Sequence, residues 1–162
     1  MPRKPRQLLP GYSYHITCRC NNREFRLTRL ECRQVFLFAL KKVLDKFRFK
    51  LYALCIMSNH VHYLLEPQEP QELPKIMHWL NWYTAMCFNR MLKRTGHFWE
   101  KRYYCNGFPS SDREDRITIL LQDRTGSDIT KDNKISLKSL LPCVFLCFTC
   151  FSTLYNERQK LP

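Results

Sequence analysis

Between residues 12 and 20 the chain alternates. Tyr12, Tyr14, Ile16, Cys18 and Cys20 fall on one side, and Ser13, His15, Thr17 and Arg19 on the other. A period of two is that of an extended strand with one buried face. From 31 to 48 the period lengthens: Val35, Phe36, Ala39, Leu40, Val43, Leu44 and Phe47 make a helical stripe with basic residues on the remaining faces, as on a surface helix packed against a sheet. "KLYALCIMSNHVHYLLEP" (50–67) reads as two strands closed by a tight turn at Met57–Asn59. Pro74 suits the first turn of a second helix that runs through "KIMHWLNWYTAMCFNRMLKRTG", with Gly96 as its stop. Trp79, Tyr83 and Met86, at i, i+4 and i+7, are expected to face the core from it. "HFWEKRYYCNGF" (97–108) then leads, as a loop, into a last strand.

Strand, helix, strand, strand, helix, strand predicts an α+β fold of the ferredoxin-like plan, an antiparallel sheet with two helices on one face. The chain of 162 residues suits one domain with a real core. A hydrophobic fraction of 44% and only 4 Gly argue against a disordered or linker-rich chain. Charge adds a partner class. The formal net charge is +13, and residues 1–50 hold 13 Lys and Arg against Glu24, Glu31 and Asp45. Such a field attracts polyanions, and with aromatic residues interleaved it points to nucleic acid. Nine cysteines, preceded by no apolar signal-like segment in "MPRKPRQLLPGYSYH", suggest free thiols in a reducing cytoplasm. Cys18-x-Cys20 and Cys147-x-x-Cys150 lack a second pair at zinc-site spacing. The apolar run 140–151 is too short to span a bilayer, so no membrane partner is expected.

"MSNHVHYLLEP" (57–67) carries the sharpest chemistry. On a strand His60 and His62 project to one side, about 7 Å apart, while Val61 enters the core. Two imidazoles so placed can share a divalent ion, although a bare His-x-His is more often a hydrogen-bonded pair. The surrounding residues decide: Met57-x-Asn59-His60-x-His62 with Leu64-Leu65, then Tyr83, Phe88-Asn89-Arg90, Arg94-Thr95-Gly96 and Trp99-x-x-Arg102-Tyr103. In this order they resemble the single-tyrosine HUH transposases of small bacterial insertion sequences, and most closely the REP-associated tyrosine transposases, over roughly residues 8–114. The resemblance implies a ferredoxin-like core that binds single-stranded or hairpin DNA, usually as a homodimer. It implies that His60 and His62 hold Mg²⁺ or Mn²⁺ at the scissile phosphate. A tyrosine on a later helix would then attack, leaving a 5′-phosphotyrosine link. Arg90, Lys93, Arg94, Lys101 and Arg102 are candidate phosphate contacts, and Trp99, Tyr103 or Trp82 candidate stacking surfaces.

The pattern then departs. The family's nucleophile is expected near position 122, where this chain has Gln122, and no tyrosine or Asn-Pro occurs between 105 and 154. A further metal ligand that the family takes from that helix is missing with it. Residues 1–114 read as the core, C-terminally incomplete, and 115–162 as an atypical tail. The tail carries a net charge of only +2, with seven Lys and Arg against five Asp and Glu. We read it as translation out of frame after Glu114, a divergent segment being the alternative. Three functions stay open: a transposase-family protein with impaired cleavage, a non-catalytic DNA-binding repressor or remnant, and an RNA binder.

Overall fold

A computed structural model describes residues 6–112, position 115 and the backbone of Val144–Cys147. Along the chain run β1 (Tyr12–Arg19), α1 (Leu30–Lys46), β2 (Phe49–Ile56), β3 (His60–Pro67), α2 (Leu73–Met91), β4 (Tyr104–Pro109) and β5 (Val144–Cys147). The sheet order is β4-β1-β3-β2-β5 and every neighbouring pair is antiparallel. β2 and β3 form the hairpin expected at Met57–Asn59, closed by Met57 N–H donating to His60 O at 2.8 Å. Each helix carries the chain to a strand two places away, with another strand slotted between. This is the ferredoxin-like plan read from the hydrophobic periods, with a short fifth strand added at the β2 edge.

One core holds both helices against one sheet face. Tyr14, Ile16 and Cys18 of β1, Leu54 and Ile56 of β2, and Val61, Tyr63 and Leu65 of β3 point into it. Cys32, Phe36, Ala39, Leu40 and Val43 meet them from α1, and Leu73, Ile76, Met77, Leu80 and Phe88 from α2. Burying a Leu, Ile or Phe side chain contributes about 1.5–3 kcal/mol each. The opposite face carries a smaller dry cluster of Ala53, Leu64 and Phe108 with Tyr52 against it. A bulge between Leu51 and Ala53 reverses the alternation of β2, which sends Leu51 to the helices and Ala53 to the other side.

Two expectations for α2 change. Its buried stripe is Leu73, Ile76, Met77, Leu80, Thr84 and Phe88. Trp79 and Tyr83 stack on each other at the margin, with rings 4.9 Å apart, and Met86 is exposed. The helix also stops at Met91 rather than at Gly96. Lys93 takes a left-handed φ of 49°, which turns the N–H of Arg94 back to Asn89 O at 2.9 Å. The Asn89 side chain completes the stop: its Nδ2 donates to Gly96 O at 2.8 Å and its Oδ1 accepts from Arg94 at 2.9 Å.

Two consequences can be measured. Gly107 lies opposite Tyr14, and a Cβ there would sit 2.8 Å from Tyr14 Cε1. That ring cannot retreat easily, because its hydroxyl accepts from Leu9 N–H at 2.7 Å and donates to Leu9 O at 3.1 Å. Gly107→Ala should therefore destabilise by about 1–3 kcal/mol, seen as a lower urea midpoint. Second, burial pushes the Cys18 and Cys20 thiols from 9.0 up to about 12. The folded chain holds those protons more tightly than the unfolded one, so the contribution to stability is full below about pH 9 and is lost as pH rises toward about 12. Replacing both by alanine should flatten the alkaline limb of a stability-versus-pH curve.

Candidate functional site

Pairing of β1 with β3 sets Thr17 opposite His62 and Arg19 opposite His60. Val61 is fully buried among the helices, so its neighbours His60 and His62 leave the strand on the other face. Their rings lie 4.8 Å apart at 68°. His15, two residues before Thr17, lies edge to edge with His62, with centroids 5.1 Å apart and planes 17° from parallel. Its Nε2 lies 2.9 Å from His62 Nδ1, and Thr17 Oγ1 lies 3.2 Å from the same nitrogen.

The proton on His60 can be placed by elimination. Asn59 Nδ2 donates to Arg23 O at 3.1 Å, which fixes the amide so that Oδ1 is the acceptor. That oxygen lies 2.6 Å from His60 Nδ1. His60 Nδ1 therefore carries the hydrogen, and in the neutral ring Nε2 holds the lone pair. The Arg23 carbonyl is in place because Asn22 and Arg23 both adopt a left-handed φ of 55° just after β1. Asn59 thus ties the hairpin turn to the end of β1 while setting the tautomer of its neighbour.

Two imidazoles facing one side fit a divalent first-row cation in kind. They supply part of a coordination shell; among the described residues no group of three His, Cys, Asp or Glu is arranged to hold a metal. The cysteines do not add to it. Cys18 and Cys20 are buried in the core, and their raised thiols stay protonated rather than becoming metal-binding thiolates. The pairing of Cys147 with Cys150 lies outside the described residues, as does Gln122.

Around the histidines lies a cavity of about 390 Å³ whose walls include Arg19, Glu100, Lys101, Arg102 and Tyr104. The 97–103 loop reaches it because it pairs back along the end of β1. Asn21 N–H donates to Phe98 O at 2.8 Å, Cys20 bridges to Trp99, and Glu100 N–H donates to Arg19 O at 2.9 Å. Of the predicted DNA contacts, Lys101, Arg102 and Tyr103 come together with His60 and His62. Arg90, Lys93 and Arg94 sit at the end of α2 and in its terminal turn, away from this cavity. Arg102 and Tyr103 also wall a second cavity of about 590 Å³, beside Arg6, Asn81, Trp82 and His97.

The expectation that Trp99 and Tyr103 offer open stacking surfaces is corrected. Trp99 is only 9% exposed and Tyr103 8%. Trp99 packs on Phe36, Phe88 and Phe98, and its Nε1 lies 3.1 Å from both Asn81 O and Thr84 Oγ1. Arg6 lies over the Tyr103 ring at 3.8 Å and donates to the Tyr103 carbonyl. Of the aromatic rings lining these two cavities, Tyr104, 67% exposed, and Trp82, 53% exposed, are open. His15, Thr17, Arg19, Glu100 and Tyr104 were not among the residues singled out from the sequence. For His15, Thr17 and Arg19 the signal was the polar side of the β1 alternation, which means nothing for a site until β3 is laid beside it.

Trp99 is therefore an anchor, which gives a measurable consequence. Trp99→Phe keeps most of the apolar contact but loses the indole N–H. It should lower stability by about 1–3 kcal/mol by leaving buried acceptors underused, seen as a lower Tm, with Thr84→Val lowering it less.

Comparison with known proteins follows this geometry. The sequence model of the family described as "Transposase IS200 like" matches residues 9–118. Among solved structures, the fold is similar to a REP-associated tyrosine transposase bound to a REP hairpin. The TM-score is 0.61 at 15% identity, covering 81% of this chain and 77% of that one. A protein assigned as a transposase from Deinococcus radiodurans R1 aligns with a TM-score of 0.47 at 19% identity, covering 76% of this chain and 98% of that one. No curated protein matches the chain by sequence. With the family match spanning more than half its length, including both histidines and every strand from β1 to β4, this chain belongs to the IS200-like transposase family.

Proposed function

We propose that this chain binds single-stranded or hairpin DNA on the sheet face that carries His60 and His62, as a transposase-family protein whose strand cleavage is impaired. The observation that carries the reading is the convergence of Arg19, Lys101 and Arg102 on a cavity shared with the imidazole pair and the exposed Tyr104 ring. Cations there suit phosphates, and an open ring beside them suits an unstacked base. The hairpin bound to the similar REP-associated transposase supports DNA as the partner. A homodimer belongs to the same reading.

His60 and His62 are the residues that would hold Mg²⁺ or Mn²⁺. Such an ion, when bound, supplies polarisation of a phosphoryl oxygen. The protein's own part is to present His60 Nε2 through Asn59 and to grip the flanking phosphates through Arg19, Lys101 and Arg102. A phenol with a pKa of about 10 is a weak nucleophile at neutral pH, and Tyr103 and Tyr104 in the cavity wall match family positions not used for attack, so attack needs the tyrosine that the family brings to the site from a later helix. The sequence has none between 105 and 154. We take residues 1–114 as the binding core and 115–162 as a tail read out of frame. The six free cysteines among the described residues suit a reducing cytoplasm, and no described helix is long and apolar enough to cross a membrane. The missing tyrosine equally favours a second reading, a DNA-binding repressor or remnant that never cleaves.

Fluorescence anisotropy with a DNA hairpin, an RNA hairpin and a salt series tests the proposal. DNA should bind more tightly than RNA, and affinity should fall steeply with salt, by a slope of about 0.7 per contacted phosphate on single strands. Arg102→Ala and Lys101→Ala should each reduce that slope. A denaturing gel with Mn²⁺ should show no covalent adduct. A flat salt response would remove the nucleic-acid reading, RNA preference would change the partner, and an adduct abolished by His60→Ala would remove the impairment.

A further inference from the structure

We infer that His15 and Thr17 are positioning residues: they hold His62 with its hydrogen on Nδ1, so that Nε2 faces the cavity as an electron-pair donor to a divalent cation. The inference rests on the reading of His60 and His62 as the cation-holding pair, and it adds two residues from a different strand.

The geometry supplies the reason. His15 Nε2 and His62 Nδ1 are 2.9 Å apart, a distance that requires one hydrogen between two ring nitrogens. Two arrangements satisfy it. If His15 donates, His62 Nδ1 is the acceptor, its hydrogen sits on Nε2, and an N–H dipole joins the Arg19, Lys101 and Arg102 charges around the cavity. If His62 donates, His15 Nε2 is the acceptor and His62 Nε2 carries a lone pair, matching the state that Asn59 imposes on His60. Only the second arrangement lets both rings serve one cation. Thr17 Oγ1, 3.2 Å from His62 Nδ1, can accept a share of that hydrogen, since a hydroxyl accepts or donates as its neighbour requires. The two ring planes lie within 17° of each other, the edge-to-edge alignment that an N–H···N bond between two rings needs.

The placement comes from the rigid part of the fold. Thr17 is the direct cross-strand partner of His62, and His15 is one pleat further along the same strand. Side chains that hold a metal-binding histidine by its other ring nitrogen set its tautomer and orientation, and their loss commonly weakens metal binding by about 10–100-fold. The two histidines of the pair are held differently. His60 is set by an amide oxygen, which can only accept, His62 by an imidazole whose role depends on its own tautomer.

The full chain, with histidine ring nitrogens labelled with ¹⁵N, gives a readout independent of activity. With Mg²⁺ added, His62 should show an Nδ1–H, Nε2-lone-pair spectrum that His15→Ala disturbs. Mn²⁺ affinity, followed by the electron paramagnetic resonance of free Mn²⁺, should fall about tenfold or more in His15→Ala. It should fall less in Thr17→Val and recover in part in His15→Gln, whose amide oxygen is again an acceptor. A wild-type His62 carrying its hydrogen on Nε2 with Mg²⁺ present overturns the inference. Mn²⁺ binding unchanged in His15→Ala but lost in His62→Ala overturns the inference alone. Wild-type protein that binds no Mn²⁺ overturns the cation reading and the inference with it.

Discussion

Antiparallel pairing of β1 with β3 at the middle of the sheet sets both the core and the candidate site. In register, Ile16 faces Tyr63 and Cys18 faces Val61 on the helix side, while Thr17 faces His62 and Arg19 faces His60 on the other. Because side chains alternate with a period of two, a slip of one residue would turn the histidines into the core and Val61 and Tyr63 out of it. That exchange would strand polar rings among apolar helices. The hydrophobic effect that holds α1 and α2 on the sheet therefore also holds His15, Thr17, His60 and His62 together. Stability and site geometry share one constraint.

The face away from the helices changes character along β3. At its start His60 and His62 lie beside Arg19 and the 97–103 loop. Further on, Leu64 joins Ala53 and Phe108 in a dry patch. Beyond that, the Glu66 carboxylate accepts from Tyr52 at 2.7 Å and Ser110 at 3.1 Å, with Ser13 at 3.5 Å. Glu66 thus has several donors of its own at the far end of the strand, separated from the imidazoles by apolar side chains. Among the described residues of the cavity wall, Arg19, Lys101 and Arg102 stand against a single carboxylate, Glu100, a balance that suits a polyanion.

Much of this was legible in the residues, and the failures share a physical cause. Strands β1 to β4, both helices and the hairpin follow from local periods and from Pro74, because each element buries one face against a common core. The end of α2 did not. Nothing in "NRMLKRTG" announces that Lys93 turns left-handed, since the stop is made by Asn89 bonding to Arg94 and Gly96. The burial of Trp99 was also hidden, because it follows from a loop pairing with the end of β1, a contact about 80 residues away in sequence. The bulge that sends Ala53 to the open face is a property of β2 laid against β3, not of β2 alone. His60 and His62 could be found from their spacing. His15 could not, since its meaning depends on a register between two strands.

The same distinction bears on what a missing nucleophile does to the rest of the site. Every residue argued to grip phosphate or to orient an imidazole lies on β1, β3, the 57–59 turn or the 97–104 segment. These are held by the pairing of β1 with β3 and by the Trp99 anchor on α2, contacts made between residues 14 and 99. In the proposed reading the tyrosine belongs to a separate, later element, so its loss removes attack without dismantling the surface that binds. In that reading phosphate contacts supply affinity by charge, and Asn59, His15 and Thr17 orient the imidazoles whether or not cleavage follows. On the same reading the chain keeps a transposase's binding face without the group that cleaves.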